Sequence, residues 1–325
     1  MAEPSATSIA SDVERAVSTP WAGRARRARA IVNPVSGRHD VEATSAQLRS
    51  VLRDYVSDLD VRVTREGGDA YRWAADAADL GVDLLVVVGG DGTVAAVLDG
   101  ARRRAAPVPV AIVPLGTANG VARAMGIPAT GLDVLPKLLR GRVVPVDLFE
   151  VEASGRAFVL FLGAGFDAEV NADAPRASKR RFGLLAYVGA AVRRLWGRSS
   201  RRIELGLDGR SVRTRGHSVS VVNVAPVNVV GVPVGPQACA TDGLLDVTVL
   251  RRSGPAGVLL DTIDLLTGRA HRTRAWQARR VTIDASPPLR LHADGDVIGT
   301  TPVTVRAVPH GARLLVPQEA GAAPA

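Results

Sequence analysis

A nearly continuous apolar run at residues 82–88 constrains the fold more than any other feature of this 325-residue chain. Successive valines and leucines predict a strand that is buried on both faces, as in parallel sheets covered by helices. Apolar runs at residues 28–32 and 108–113 have the same character, and segments with helical spacing lie between the runs. This alternation of strand and helix predicts an α/β domain with a parallel, Rossmann-like sheet.

The pattern changes near residue 146, where short alternating stretches separated by turn residues begin. Such stretches predict a mainly antiparallel β-sandwich. We therefore expect a disordered tail at residues 1–27, an α/β domain at 28–145, a β-sandwich at 146–312 and a second tail at 319–325. The sequence leaves open whether a last strand at 313–318 returns to the first domain.

Composition and charge narrow the classes of partner. The net charge of +9 favours nucleic acid, an anionic membrane surface or phosphorylated ligands. Four scattered tryptophans do not suggest base stacking, so we expect no nucleic-acid partner. No apolar run approaches the ~20 residues that cross a bilayer. A single cysteine and the lack of a secretory signal predict a cytoplasmic protein.

The sequence Gly-Gly-Asp-Gly-Thr at residues 89–93 directly follows the buried run, and a helix is predicted from residue 94 to residue 103. Glycines allow the backbone to approach a phosphate, and free amides at a helix start favour an anion. Asp91 in such a loop would face a metal ion, a basic side chain or a hydroxyl that must lose its proton. The alternative is a plain turn in which Asp91 caps the helix.

Two more loops follow predicted strands of the same sheet. Residues 33–38 read Asn-Pro-Val-Ser-Gly-Arg, and residues 114–120 read Pro-Leu-Gly-Thr-Ala-Asn-Gly. Ligands of open α/β sheets bind at the carboxyl ends of the strands, where these loops converge. Glycines beside hydroxyl and amide donors suit nucleotide phosphates. Each loop alone is a weak signal, but the three together predict a nucleotide site.

Taken in order, these three loops resemble the diacylglycerol kinase catalytic-domain family, which includes bacterial soluble lipid kinases and the sphingosine and ceramide kinases. The resemblance continues through Leu-Gly-Ala-Gly-Phe-Asp-Ala at residues 162–168 and through residues 179–187. It also includes Asp-Gly-Leu-Leu-Asp at 242–246 and Ala-Asp-Gly-Asp at 293–296. It covers about residues 28–318 and is specific to the family, though not to one substrate.

The resemblance implies phosphorylation of a lipid hydroxyl by ATP with Mg²⁺, with diacylglycerol as the leading acceptor and phosphatidic acid as the product. It implies that Asp296 is the general base and that Asp91 connects the metal and its waters to the reacting hydroxyl. The structural magnesium site of the bacterial members corresponds here to Asp242 with backbone oxygens of Cys239 and Leu244. The implied ATP contacts are Asn33, Pro34, Ser36, Gly37, Thr64, Gly89, Gly90, Asp91, Gly92, Thr93, Gly116, Thr117 and Asn119.

The chain departs from the family pattern at several of these motifs. Ala95 and Ala96 stand where the family commonly has Asn-Glu, Gly120 where it has Asp, and Asp296 where it has Glu. Aspartate is shorter than glutamate by about 1.5 Å. Two alternatives therefore stay open. One is an enzyme similar to NAD kinase, which shares Gly-Gly-Asp-Gly, and the other is a catalytically weak lipid- or nucleotide-binding protein.

A basic segment at residues 176–202 contains no acidic residue. Its apolar residues recur at helical spacing, which predicts an amphipathic helix over residues 182–196. This helix could lie on anionic lipid through Arg193, Arg194 and Arg198, with peripheral membrane association as the result. The alternative is a helix that covers the core while its charged ends are solvated. The oligomeric state, a homodimer included, stays open.

Overall fold

The computed structural model describes residues 18–21, 24–37, 40–103, 106–165, 200–224, 227–229, 232–234, 238–250 and 274–318. The predicted amphipathic helix with Arg193, Arg194 and Arg198 lies outside these ranges, as do the family motif at 179–187 and part of that at 162–168. None of the helices in the described ranges has the length and apolar character that crossing a membrane requires.

The first domain is built on four parallel strands in the order β3-β2-β4-β5. Every residue of β4 and β5 is buried, as the apolar runs predict. The elements up to residue 139 are β1 (Thr19–Pro20), β2 (Ala25–Val32), α1 (Val41–Leu52), β3 (Val56–Val63), α2 (Asp69–Ala75), β4 (Leu84–Gly89), α3 (Asp91–Ala101), β5 (Val110–Pro114), α4 (Gly120–Ala124), a 3₁₀ helix (Gly131–Val134) and α5 (Leu135–Leu139).

Apart from a separate two-stranded sheet at residues 227–229 and 232–234, the remaining strands form two mainly antiparallel layers. Buried residues alternate with exposed or half-buried ones in these layers, as at residues 201–207, 245–250 and 280–286. Apolar side chains of both layers form a second core around Phe149, Leu205 and Leu291. The strands are β6 (Arg142–Val151), β7 (Arg156–Phe158), β8 (Phe161–Gly165), β9 (Arg201–Leu207), β10 (Arg210–Gly216), β11 (Ser218–Val222), β12 (Val227–Val229), β13 (Val232–Val234), β14 (Leu245–Leu250), β15 (Arg274–Ala278), β16 (Arg280–Ser286), β17 (Arg290–Ala293), β18 (Asp296–Thr300) and β19 (Val303–Val316).

One layer of the sandwich is a six-stranded sheet in the order β15-β14-β11-β8-β17-β18. The other layer continues the parallel sheet, because β19 pairs with β16 and β6 in the sandwich and also lies parallel to β5. The predicted fold class, an α/β domain followed by an antiparallel β-sandwich, is confirmed.

Several element boundaries differ from the sequence-based expectations. Strand β2 begins at Ala25, inside the predicted tail, because Ala25 and Ala28 are buried against the sheet. Strand β6 runs continuously through the expected domain boundary at residue 145, and β19 begins ten residues before the expected final strand at 313. Alternation of apolar and polar residues predicts that a segment is a strand, but it does not predict how far the strand stays paired with its neighbours.

Candidate active site

The three glycine-containing loops meet at the carboxyl edge of the parallel sheet. The Asn33 side-chain amide donates to Thr93 Oγ1 at 2.7 Å, which joins the loop after β2 to the first turn of α3. The Gly90 N–H donates to Ser36 Oγ at 3.2 Å. The Leu115 N–H donates to the Gly89 carbonyl at 3.0 Å, which joins the loop after β5 to the other two. The predicted convergence is present in the structure.

Two of these loops also approach each other closely through glycine backbones. A Cβ atom on Gly116 would lie 2.6 Å from the Gly90 Cα and 2.8 Å from Asn119 Oδ1, distances that no side chain accommodates. Glycine at both positions therefore lets the two loops touch without a side chain of either glycine between them. An anionic group that needs many backbone donors fits such a surface.

Asp91 is the first residue of α3, so the helix begins three residues before the predicted start at residue 94. Its Oδ1 atom does not cap α3 but accepts a hydrogen bond from the Val121 N–H, at the start of α4, at 3.2 Å. Asp91 thereby connects two of the three loops. The alternative in which Asp91 caps its own helix is wrong, because α3 has no side-chain cap.

Asn119 supplies an unsatisfied acceptor at the same edge. Its backbone is left-handed, with φ at 49°. Its Oδ1 atom is buried and accepts no hydrogen bond from the described part of the chain. An acceptor of this kind can accept a hydrogen bond from a ligand, for example from an amino or hydroxyl group of a nucleotide. The residues at this edge therefore fit a nucleotide.

The other predicted nucleotide contacts surround this edge. Thr64 follows β3 and its N–H donates to the Val32 carbonyl at 2.9 Å. Thr117 is exposed between β5 and α4. Pro34 and Gly37 lie in the loop after β2, and Gly92 lies in the first turn of α3 with open space beside it.

The predicted general base, Asp296, does not contact these loops in any hydrogen bond or ion pair of the described residues. It lies at the start of β18, where 64% of its side chain is exposed, and pairs with Arg156 at 3.2 Å. In this arrangement the Asp296 carboxylate is directed to Arg156.

Its neighbour Asp294, which the sequence analysis did not single out, lies near enough to Asp91 for the two carboxylates to repel each other. Asp294 accepts hydrogen bonds from the backbone N–H groups of residues 159, 160 and 161 at 2.7, 2.9 and 3.0 Å. Burial raises the pKa of Asp294 to about 6, the three N–H groups oppose this rise, and the nearby Asp91 carboxylate adds to it. The motif at 293–296 contained this residue, but burial alone distinguishes it from Asp296.

The structure also explains how the chain accommodates Gly120. A Cβ atom at this position would lie 2.9 Å from Leu160 Cδ1 and 3.7 Å from Asp91 Oδ1. Leu160 therefore occupies the space into which a side chain at position 120 would extend. A carboxylate there would stand beside Asp91, and its absence removes one negative charge from the site.

The predicted magnesium ligands lie in the turn before β14. Asp242 Oδ1 accepts from the Leu244 N–H at 2.9 Å, and Cys239 precedes the turn. Burial raises the pKa of Asp246 to about 6, and the Asp242 carboxylate adds to the rise. Asp246 Oδ2 is buried and accepts no hydrogen bond from the described residues. These oxygens fit a hard divalent cation, which would relieve the repulsion between the carboxylates.

Within the described ranges, no group of three or more His, Cys, Asp or Glu side chains is arranged to hold a metal. Asp242 would therefore need carbonyl oxygens, such as those of Cys239 and Leu244, and water to complete the coordination of such an ion.

Comparison with known proteins agrees with this architecture. The diacylglycerol kinase catalytic domain matches residues 27–151, and the YegS C-terminal NAD kinase beta sandwich-like domain matches residues 161–316. A Stenotrophomonas maltophilia protein named "Probable lipid kinase YegS-like" is 33% identical over 272 residues, which cover 80% of this chain and 87% of the relative. The chain belongs to this lipid kinase family.

Other members of the family extend the likeness over most of the chain. The diacylglycerol kinase of Bacillus subtilis is 28% identical over 283 residues, which cover 85% of this chain and 92% of the relative. A crystal structure of a diacylglycerol kinase from Bacillus anthracis superimposes with a TM-score of 0.74 at 23% identity, covering 90% of this chain and 97% of that one. The structural likeness shows the shared fold.

Proposed function

We propose that this lipid kinase family member transfers the γ-phosphoryl group of ATP to a lipid hydroxyl, with diacylglycerol as acceptor, phosphatidic acid as product and Mg²⁺ as the metal. The observation that carries the proposal is the close approach of Gly90 and Gly116 beside Asp91, which places two glycine loops, the first turn of α3 and a carboxylate at one edge of the sheet. Phosphoryl transfer depends on such positioning of donors around the phosphates more than on covalent chemistry by the protein.

In the proposed reaction the acceptor hydroxyl oxygen forms a bond to the γ-phosphorus while the bond to the bridging oxygen breaks and ADP leaves. Asp296 takes the hydroxyl proton after leaving its ion pair with Arg156, and Asp91 orients the hydroxyl. The amides of the loops hold the phosphates. A bound Mg²⁺ ion supplies charge neutralisation for the phosphate oxygens.

We further propose that the enzyme meets its acceptor at an anionic membrane surface. The net charge of +9 and the basic residues Arg193, Arg194 and Arg198 support this proposal. Vesicles with and without anionic lipid test it: binding that depends on anionic lipid and weakens with salt is expected, and binding indifferent to both contradicts it.

The deciding experiment is transfer of labelled phosphate from ATP, with Mg²⁺, to diacylglycerol in mixed micelles. We expect labelled phosphatidic acid from the wild type and none from Asp91→Asn, whose fold is checked by its thermal midpoint. Asp296→Ala should lose most of the activity, whereas Asp296→Glu should keep or raise it. Normal turnover by Asp296→Ala would remove that residue from the role of base.

The same assay separates the alternatives. Labelled product from NAD but not from any lipid identifies an enzyme similar to NAD kinase. ATP and lipid binding without product from either acceptor identifies a catalytically weak binding protein. The ion pair of Asp296 with Arg156 and the Gly120 and Ala95-Ala96 substitutions are the observations that favour this last outcome.

A further inference from the structure

Asp294 fastens the hairpin that carries Asp296 to the segment between β7 and β8. Its carboxylate accepts the three N–H groups of residues 159–161, and its own N–H donates back to the Phe161 carbonyl at 3.1 Å. Asp294 is left-handed, with φ at 48°, and Gly295 follows with φ at 99°. The turn is therefore held by four hydrogen bonds at one residue.

The same segment reaches the nucleotide loops from its other side. Leu160 lies against Gly120, close enough that a Cβ atom there would come within 2.9 Å of its Cδ1. The next residue, Val121, donates its N–H to Asp91. A continuous set of contacts thus leads from Asp294 through Leu160 and Gly120 to Asp91, which joins the β-sandwich to the start of α3.

We propose that Asp294 is a positioning residue that holds the hairpin bearing Asp296 and the helix start bearing Asp91 in one fixed arrangement. The inference rests on the proposed function, since the arrangement matters for turnover only if both aspartates serve the same transfer. A displacement of about 1 Å between reacting groups can lower a rate ~10²-fold.

The three hydrogen bonds that Asp294 accepts from the N–H groups of residues 159–161, called the clamp below, require a carboxylate. An ionised carboxylate offers about four acceptor sites and no donor, so it can accept all three N–H groups. An asparagine keeps the shape but turns an NH₂ group toward at least one of these donors. Asp294→Asn therefore breaks the clamp with little change in side-chain volume.

The chain contains a matched control for this substitution. Asp208 is also left-handed, with φ at 47°, and is followed by a left-handed Gly209. Its carboxylate accepts the N–H groups of Arg279 and Arg280 at 3.1 and 2.8 Å. It lies in the β9–β10 turn, at the opposite end of the large sheet from β3. Asp208→Asn removes a similar clamp outside the site.

We expect Asp294→Asn to lower kcat for diacylglycerol phosphorylation about 10-fold or more while KM for ATP stays within about twofold. Asp208→Asn should lose similar thermal stability and keep its kcat. The proposal is overturned if both variants keep the wild-type kcat or if both lose kcat to the same extent. A clamp with a purely structural role would have the same effect on kcat at the two turns.

Hydrogen exchange provides a readout that does not need turnover, so failure of the proposed function can be recognised separately. Amide exchange should rise in the first turn of α3 in Asp294→Asn and not in Asp208→Asn. A rise confined to residues 159–161 overturns the proposal. If Asp294→Asn does not fold, Leu160→Ala keeps the clamp but removes the contact with Gly120, and it should raise exchange at α3. Unchanged amide exchange in the first turn of α3 in Leu160→Ala would also overturn the proposal.

Discussion

At the scale of single residues, burial divides two aspartates that lie two positions apart. Asp294 is half-buried within the β17–β18 turn and accepts three backbone N–H groups, whereas Asp296 is exposed and paired with Arg156. Desolvation outweighs the three N–H groups that stabilise the charge and raises the pKa of Asp294 to about 6, so the carboxylate is ionised at pH 7 and takes up a proton in mild acid. Protonation of Asp294 is thereby coupled to folding.

This coupling predicts a pH dependence of stability. Because the pKa of Asp294 is raised from 3.8 to about 6, the folded state binds its proton more tightly than the unfolded state. The contribution of this residue to the free energy of unfolding should therefore fall by about 2 kcal/mol as pH rises from about 4 to about 7. Urea unfolding of the wild type and of Asp294→Asn across this range measures it.

Asparagine does not titrate, so the difference in unfolding free energy between the two proteins isolates this carboxyl from all others. We expect the wild type to lose stability relative to the variant with rising pH. A difference that stays constant from pH 4 to pH 7 would mean that the pKa of Asp294 is not raised.

At the scale of elements, helix α3 connects the site to the β-sandwich at both of its ends. Asp91 begins the helix, and Arg102 follows its last residue. Arg102 pairs with Asp99 at 2.8 Å and with Glu150 of β6 at 2.9 Å, and all three side chains are about nine-tenths buried. Arg102 also donates to the Gly155 carbonyl at 2.5 Å. The helix cannot shift without breaking these bonds.

Removal of the Arg102 charge should therefore be costly. Arg102→Met leaves Asp99 and Glu150 buried with a lost partner, which we expect to lower the free energy of unfolding by about 3 kcal/mol. The control is Arg213→Met, which removes a pair with Glu204 whose side chains are 80% and 50% exposed. That change should cost below about 1 kcal/mol. Urea unfolding at pH 7 compares them, and similar small losses would contradict the buried network.

At the scale of the whole molecule, strand β19 joins the two domains because it pairs with strands of both. Its end lies beside β5 through the pair Leu314 and Val110, and its longer part pairs with β6 and β16. Leu314, Leu315 and Val316 are fully buried. Strand β19 thus pairs with β5, which would otherwise be the edge strand of the parallel sheet.

A truncation tests this dependence. Deletion of residues 313–325 removes three buried apolar side chains, each worth about 2 kcal/mol, from a protein whose total stability is expected at about 5–15 kcal/mol. We expect a large fall in the thermal midpoint, with loss of ATP binding. Deletion of residues 319–325 is the control and should leave both unchanged. A truncation before residue 313 that melts like the wild type would show that β19 does not support the first domain.

Much of the fold and of the nucleotide edge could be predicted from the sequence, because their signals are local. The buried run at 82–88, the glycine loops and the strand-helix alternation each lie within a short segment. The carboxyl ends of parallel strands necessarily share an edge, so the meeting of the loops near Asn33, Asp91 and Gly116 followed from the fold class.

Only the tertiary structure decided that Asp294 of the 293–296 motif lies near Asp91, that the Arg102 side chain is about nine-tenths buried, and that β19 returns to β5. Each of these depends on contacts between residues far apart in the chain. Whether a charged side chain is buried, and which strand another strand pairs with, depends on the distant residues that surround it. A local sequence pattern does not identify those residues.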